Sequence, residues 1–152
     1  MAWSASKVFA FAQLQMGKAA LNLSTDSYKV ALYNNSITPD NTVTTAVLTE
    51  YNGSGSQWLT ANEIYQAVQW PQGGESLSSV TWTQASNVDT FTAANTQSGS
   101  AATLVGFYGC LVYDTTVNSE GLSYNYFGGT QTVTAGQLTV VWSASGVAAW
   151  TT

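Results

Sequence analysis

"YKVALYNNSITPD", Tyr28–Asp40, is the stretch whose reading decides the fold. Its first seven residues set Tyr28, Val30, Leu32 and Asn34 on one side and Lys29, Ala31 and Tyr33 on the other. That two-residue period is the pattern of a half-buried strand. The next six end it. Asn, Ser and Asp favour bonds from their side chains to nearby backbone, and Pro39 has no N–H with which to extend a ladder. A core strand with a firm stop is the expected product.

The rest of the chain repeats this rhythm. "TAVLTEY" (45–51), "EIYQAVQW" (63–70), "SSVTWTQ" (78–84), "VDTFTAA" (88–94), "ATLVGFYGCLVY" (102–113), "LSYNYFG" (122–128), "GQLTVVW" (136–142) and "GVAAW" (146–150) are short runs rich in β-branched and aromatic residues. Gly, Ser and Asn clusters such as "NGSGSQ", "PQGGES", "NTQSGS" and "TTVNSEG" separate them. The pattern predicts an all-β fold, a sandwich or barrel of about eight short, mostly antiparallel strands. The run 102–113 is apolar on both faces and is expected at the centre of a sheet or under a covering partner. Residues 1–17 read as a short N-terminal helix or arm: Ser4 or Ser6 is a candidate cap, Phe9, Ala12 and Met16 recur at helical spacing, and Gly17 is a stop. Val8, Ala10, Ala12, Leu14 and Met16 also alternate, so an edge strand competes there. No linker or internal repeat divides the 152 residues, and 18–152 is expected to form one β domain after the arm.

Composition narrows the function classes. Charged residues make up 7% of the chain against about 25% in an average soluble domain. Solubility therefore rests on neutral hydrogen-bonding groups, chiefly 21 Thr and 17 Ser. Three lysines, no arginine and a net charge of −5 leave no cationic patch for nucleic acid or for anionic membranes. No apolar run approaches the roughly 20 residues of a membrane-crossing helix. The apolar run "VFAFA" is too short for a secretory h-region, so the N-terminus reads as mature structure. A single cysteine, Cys110, excludes an intrachain disulfide.

Chemistry-bearing groups are scarce. Without histidine there is no Ser-His or Cys-His nucleophile arrangement. Cys110 within "FYGCLVY" reads as a small buried hydrophobe. The eight acids, Asp26, Asp40, Glu50, Glu63, Glu75, Asp89, Asp114 and Glu120, are spread along the chain, most beside predicted turns, and read as solvated loop residues. Only a fold that brought two into one cleft would revive glycosidase-type chemistry. "DTTVNSEG" (114–121) lacks calcium-loop spacing and reads as a hairpin loop. "QGG" and "FGGT" lack the lysine and following helix of a phosphate loop. No catalytic residue, cofactor, metal or small-molecule substrate is expected. Of the tryptophans, Trp82 and Trp142 alternate with hydroxyl residues in strands and are assigned to the interior, whereas Trp3, Trp58 and Trp70 lie near the chain end or turns. Exposure of these last three would suit either protein contact or stacking on a sugar. The segment 52–74, aromatic and poor in charge, is the first place to look for a subunit contact.

A sheet protein with so few charges cannot guard its edges with lysine. Barrel closure, a covering arm or pairing with other subunits must do so, and the last predicts an oligomer or a lattice partner.

"TDSYKVALYNNSITPD", "SSVTWTQASN", "ATLVGFYGCLVYD" and the tail "YFGGTQTVTAGQLTVVWSASGVAAW" together resemble a family of small virion proteins of tailed bacteriophages, over most of the chain. Such proteins are similar to capsid decoration, or cement, proteins, with minor tail or neck components as close rivals. The resemblance implies a non-catalytic protein bound to the outer surface of a capsid and assembled in the host cytoplasm. Its partners would be the major capsid protein and further copies of itself in a homo-oligomer, a trimer being one such assembly. The candidate interaction surface is Trp3, Phe9, Phe11, Trp58, Tyr65 and Trp70. A tail or neck adhesion module that binds host carbohydrate is the alternative.

Overall fold

The computed structural model describes residues 3–151. It is an all-β fold with every strand pairing antiparallel. Strands β1 (Lys7–Val8), β2 (Tyr28–Tyr33), β3 (Glu63–Ile64), β4 (Glu75–Ser76), β8 (Ala102–Asp114) and β9 (Gly121–Gly136) form the main sheet in the order β1-β9-β8-β2-β3, with β4 sharing the outer edge of β2. A second sheet runs β11-β6-β5, from Ala148–Thr151, Val88–Thr92 and Thr81–Ala85. A small ribbon pairs β7 (Thr96–Gln97) with β10 (Thr139–Val140).

The opening stretch behaves as a core strand, with one correction. Val30, Ala31, Leu32 and Tyr33 are all fully buried, so β2 is covered on both faces and not on one. On one face Tyr28 meets Phe91 of the second sheet edge to face, with centroids 5.1 Å apart. On the other, Tyr33 meets Trp58 at 5.2 Å. Side-chain-to-backbone bonds make the stop: Asn34 Oδ1 accepts from Ser36 N at 2.8 Å, and Asp40 Oδ1 from Thr42 N at 2.8 Å and Thr42 Oγ1 at 2.7 Å. The Thr42 bonds hold the Asp40 carboxyl below its ordinary range.

β8 lies between β2 and β9, the central position expected of it. The loop 115–120 closes its hairpin with β9, where Asp114 Oδ1 accepts from Val117 N at 3.0 Å and from Thr116 N. Gly109 in "FYGCLVY" has a packing reason: a Cβ there would run into the indole of Trp3 and the Asn125 carbonyl. Gly74 of "QGG" sits at φ +78° against the Val30 carbonyl, where only glycine lets the two backbones approach.

The N-terminal segment takes both forms that the sequence offered. Lys7–Val8 pairs with Tyr124 and Ser123 as an edge strand, and α1 (Ala10–Gly17) follows at once. Neither Ser4 nor Ser6 caps it; the cap position is Phe9, whose side chain is apolar. Ser6 Oγ accepts instead from Tyr126 N at 2.9 Å, tying the arm to β9. "TAVLTEY", expected as a strand, is a single helical turn, α2 (Ala46–Thr49). "NTQSGS", expected as a loop, contains β7.

The tryptophan assignment inverts. Trp3, Trp58 and Trp70 are buried, as is Phe9, while Trp82 and Trp142 are only half-buried. Trp58 is the hub of an aromatic cluster: Trp3, Phe9, Tyr33 and Tyr124 stand 5.2–5.9 Å from its ring. The hydroxyl-rich loop "YNGSGSQW" folds down over the sheet and carries Trp58 inward. Trp82 sits instead on the small outer sheet, against Trp150 at 5.2 Å. A strand's own alternation does not tell which of two sheets has deep cover.

Candidate functional site

Of the six residues proposed as an interaction surface, four are core. Trp3, Phe9, Trp58 and Trp70 cannot meet a partner from inside the protein, and neither Trp58 nor Trp70 can stack on a sugar. Phe11 is half-buried on α1. Tyr65 alone is well exposed, at 47%.

Tyr65 belongs to a feature that the tryptophans only announced. Gln66 and Trp70 pair backbone to backbone, at 2.8 Å and 2.9 Å, and Gln69 N donates to Gln66 O at 3.1 Å. Gln66–Gln69 is thus a tight turn. Val68, at its third position, has φ +74°, while Ala67 keeps negative φ. That is the type II arrangement, which calls for Gly or Asn at this position. A β-branched residue there is a genuine outlier. Val68 is also 89% exposed, so burial within the chain does not offset the strain. The turn is braced from below: Gln66 Oε1 accepts from Thr103 N at 2.6 Å, Gln69 Oε1 from Ala101 N at 3.3 Å, and Gln69 O from Gly99 N at 2.8 Å. With Trp70 sunk in the core, the chain presents Tyr65 and Val68 on a rigid apolar tip.

The second sheet leaves an edge open. Among the described residues β5 pairs only with β6, and its sequence TWTQA has no charge or proline to deter a neighbour.

The acids depart from the solvated-loop reading in three cases: Glu63, Asp114 and Glu120 are buried. Glu63 is a structural knot. Tyr51 Oη donates to its Oε2 at 2.8 Å and Gly73 N to its Oε1 at 2.7 Å, while Tyr113 Oη donates to Gly73 O at 2.7 Å. Burial raises the Glu63 carboxyl above its ordinary range against these donors and Lys29. Burial likewise pushes Asp114 up to about 6, against its two loop N–H donors, with Asp26 adding to the rise. Glu120 is raised by burial, with Glu50 and Asp114 contributing and Gln15 opposing. Asp114 and Glu120 close the β8–β9 loop, Asp114 N donating to Glu120 O at 2.8 Å. Among the described residues no group of three or more His, Cys, Asp or Glu side chains could hold a metal ion. Burial pushes the Cys110 thiol up to about 12, the opposite of an activated thiolate. No helix among the described residues is long and apolar enough to cross a membrane.

A polar hollow of about 410 Å³ opens between the two sheets. Ser123 and Asn125 of β9 lie at its floor, the segment from Ser6 to Val8 and Gln13 of α1 form one wall, and the turn Ser143–Gly146 with the start of β11 forms the other. A second hollow of about 280 Å³ shares Ser6, Asn125, Ser143 and Gly146 with the first and is flanked by Tyr126, Phe127 and Trp142. Nothing in the sequence flagged this site, because its residues come from five separate segments.

Comparison with protein-family models, with curated proteins and with solved structures found no match.

Proposed function

We propose that this chain is a non-catalytic structural protein of a tailed-phage virion, which binds the outer surface of the capsid and reinforces it as a decoration protein. Its partners are the major capsid protein and other copies of itself in a homo-oligomer. Nucleic acid, membrane and small-molecule substrate have no part in this reading. The observation that carries it is the Tyr65–Gln69 tip. A strained, solvent-exposed valine braced by side-chain amides is unfavourable for the isolated chain and useful only when an apolar recess receives it. The uncharged open edge of β5 supports the same reading, since a neighbouring subunit protects an edge that the chain itself leaves bare.

The test is to purify particles of the phage that encodes the chain, count its copies and locate them by electron cryomicroscopy. Decoration requires on the order of hundreds of copies at regular shell positions, with the Val68 tip against a neighbour. A few copies confined to the tail or neck, or no copies on the particle, would refute it.

A further inference from the structure

We propose that the hollow between the sheets is a binding site for a neutral oligosaccharide. This stands independently of the capsid reading, since it rests on a different surface. Seven residues lining the polar half carry side-chain amides or hydroxyls, Gln13, Asn41, Ser6, Ser143 and Ser145 among them; Val8 and the run from Gly146 to Ala149 complete it, and its only charged residue is Lys7. Amides and hydroxyls both donate and accept, as a polyhydroxylated ligand requires. An anionic ligand would call for a cluster of cations, and a cationic ligand for a carboxylate in the lining. Neither is present there.

A further observation points to a ligand. The adjoining hollow brings the half-buried rings of Phe127 and Trp142 beside Asn125 and Ser143, while the Tyr126 ring lies on the other face of β9 against Trp3. A few aimed polar groups beside an aromatic wall are the usual make-up of a small-ligand site, and the volume lies within the usual range. From Ser123 to Phe127 the floor runs for roughly 13 Å, at about 3.3 Å per strand residue, so the site spans more than one sugar ring. Trp142 is fixed for the purpose, its Nε1 donating to Ala94 O at 3.1 Å. The sugar-stacking role first assigned to Trp58 and Trp70 thus moves to rings that solvent can reach. A peptide strand added to β11 is the rival occupant, but it would be held by main-chain groups and alternating apolar pockets, not by a floor of side-chain amides and hydroxyls.

The intact chain should be titrated with maltohexaose, cellohexaose and chitohexaose, following Trp fluorescence and the heat of binding, with a heparin hexasaccharide as the anionic control. At least one neutral probe should bind and the anionic one should not. Asn125→Ala and Trp142→Ala should each weaken binding about tenfold or more, the scale of one lost well-made contact. Gln13→Ala and Ser145→Tyr alter exposed residues of the wall, so they report on the site even where a floor variant fails to fold; the first should weaken binding and the second should block it. No binding to any neutral probe, equal binding of the anionic one, affinity unchanged in Gln13→Ala and Ser145→Tyr, or displacement by extended peptides in preference to sugars would each overturn the proposal.

Discussion

Replacing Val68 by asparagine should make the isolated protein more stable and less able to dock. An L-residue held in the left-handed region costs about 1–2 kcal/mol, and a β-branched one is the most crowded. Asparagine tolerates that conformation, so most of this cost is recovered. Little is lost in exchange. With 89% of its surface in water, Val68 realises only about a tenth of the ~1.5–3 kcal/mol that full burial of such a side chain provides. The net gain is then about 1 kcal/mol, or about 2–4 °C in Tm for a domain of this size. At a docked interface the sign reverses, because burying the valine against a partner is worth the full ~1.5–3 kcal/mol and its loss weakens each contact by about 10- to 150-fold. Urea unfolding followed by Trp fluorescence measures the first effect, and co-sedimentation with capsids measures the second. A Val68→Asn protein no more stable than the original would refute the strain argument. Undiminished capsid binding would refute the role given to the tip.

Two more outcomes follow from the interior. Trp58→Ala removes the hub of the aromatic cluster and should cost about 3–5 kcal/mol, a large share of a domain's total stability of about 5–15 kcal/mol; a change within the ~0.5 kcal/mol typical of surface positions would mean the ring is not buried. Asp114→Asn should flatten the pH dependence of stability. The folded-state pKa of Asp114 is raised from 3.8 to about 6, so between those values the folded chain holds more protons than the unfolded one and this group's contribution falls as pH rises. Asparagine keeps the Oδ1 acceptor used by the loop and removes the ionisation, so the variant should gain on the parent in urea midpoints measured from pH 4 to pH 6. An advantage of the variant over the parent that grew as the pH fell from 6 to 4 would contradict the burial of that carboxylate.

Period and punctuation made the elements legible. The alternation in "YKVALY" marked a strand, the Asn, Asp and Pro after it marked its end, and the apolar run 102–113 announced the centre of a sheet. These are local properties: side-chain direction along a strand and side-chain bonds within two residues follow from the backbone alone. Composition also limited the candidates, because absent histidine and scarce cations are facts about the chain before it folds. The errors came where a local pattern had more than one tertiary use. "TAVLTEY" has β-branched residues but closes a helical turn beside α1, and "SKVFAF" serves as a strand and then a helix within a few residues.

The amino-acid sequence by itself determined that this protein builds antiparallel sheets and that hydroxyls and amides take the place of charge among its polar side chains. Tertiary structure alone decided which aromatic rings are inside, which valine stands out, and which carboxylates lose their water. Burial is the reason: it is a property of the other face, the covering loop or the second sheet, supplied by residues far away in the chain. Trp58 sits in a glycine-serine loop and is core because the loop folds onto β2, while Trp142 has the alternation of an interior strand and yet borders a hollow open to solvent.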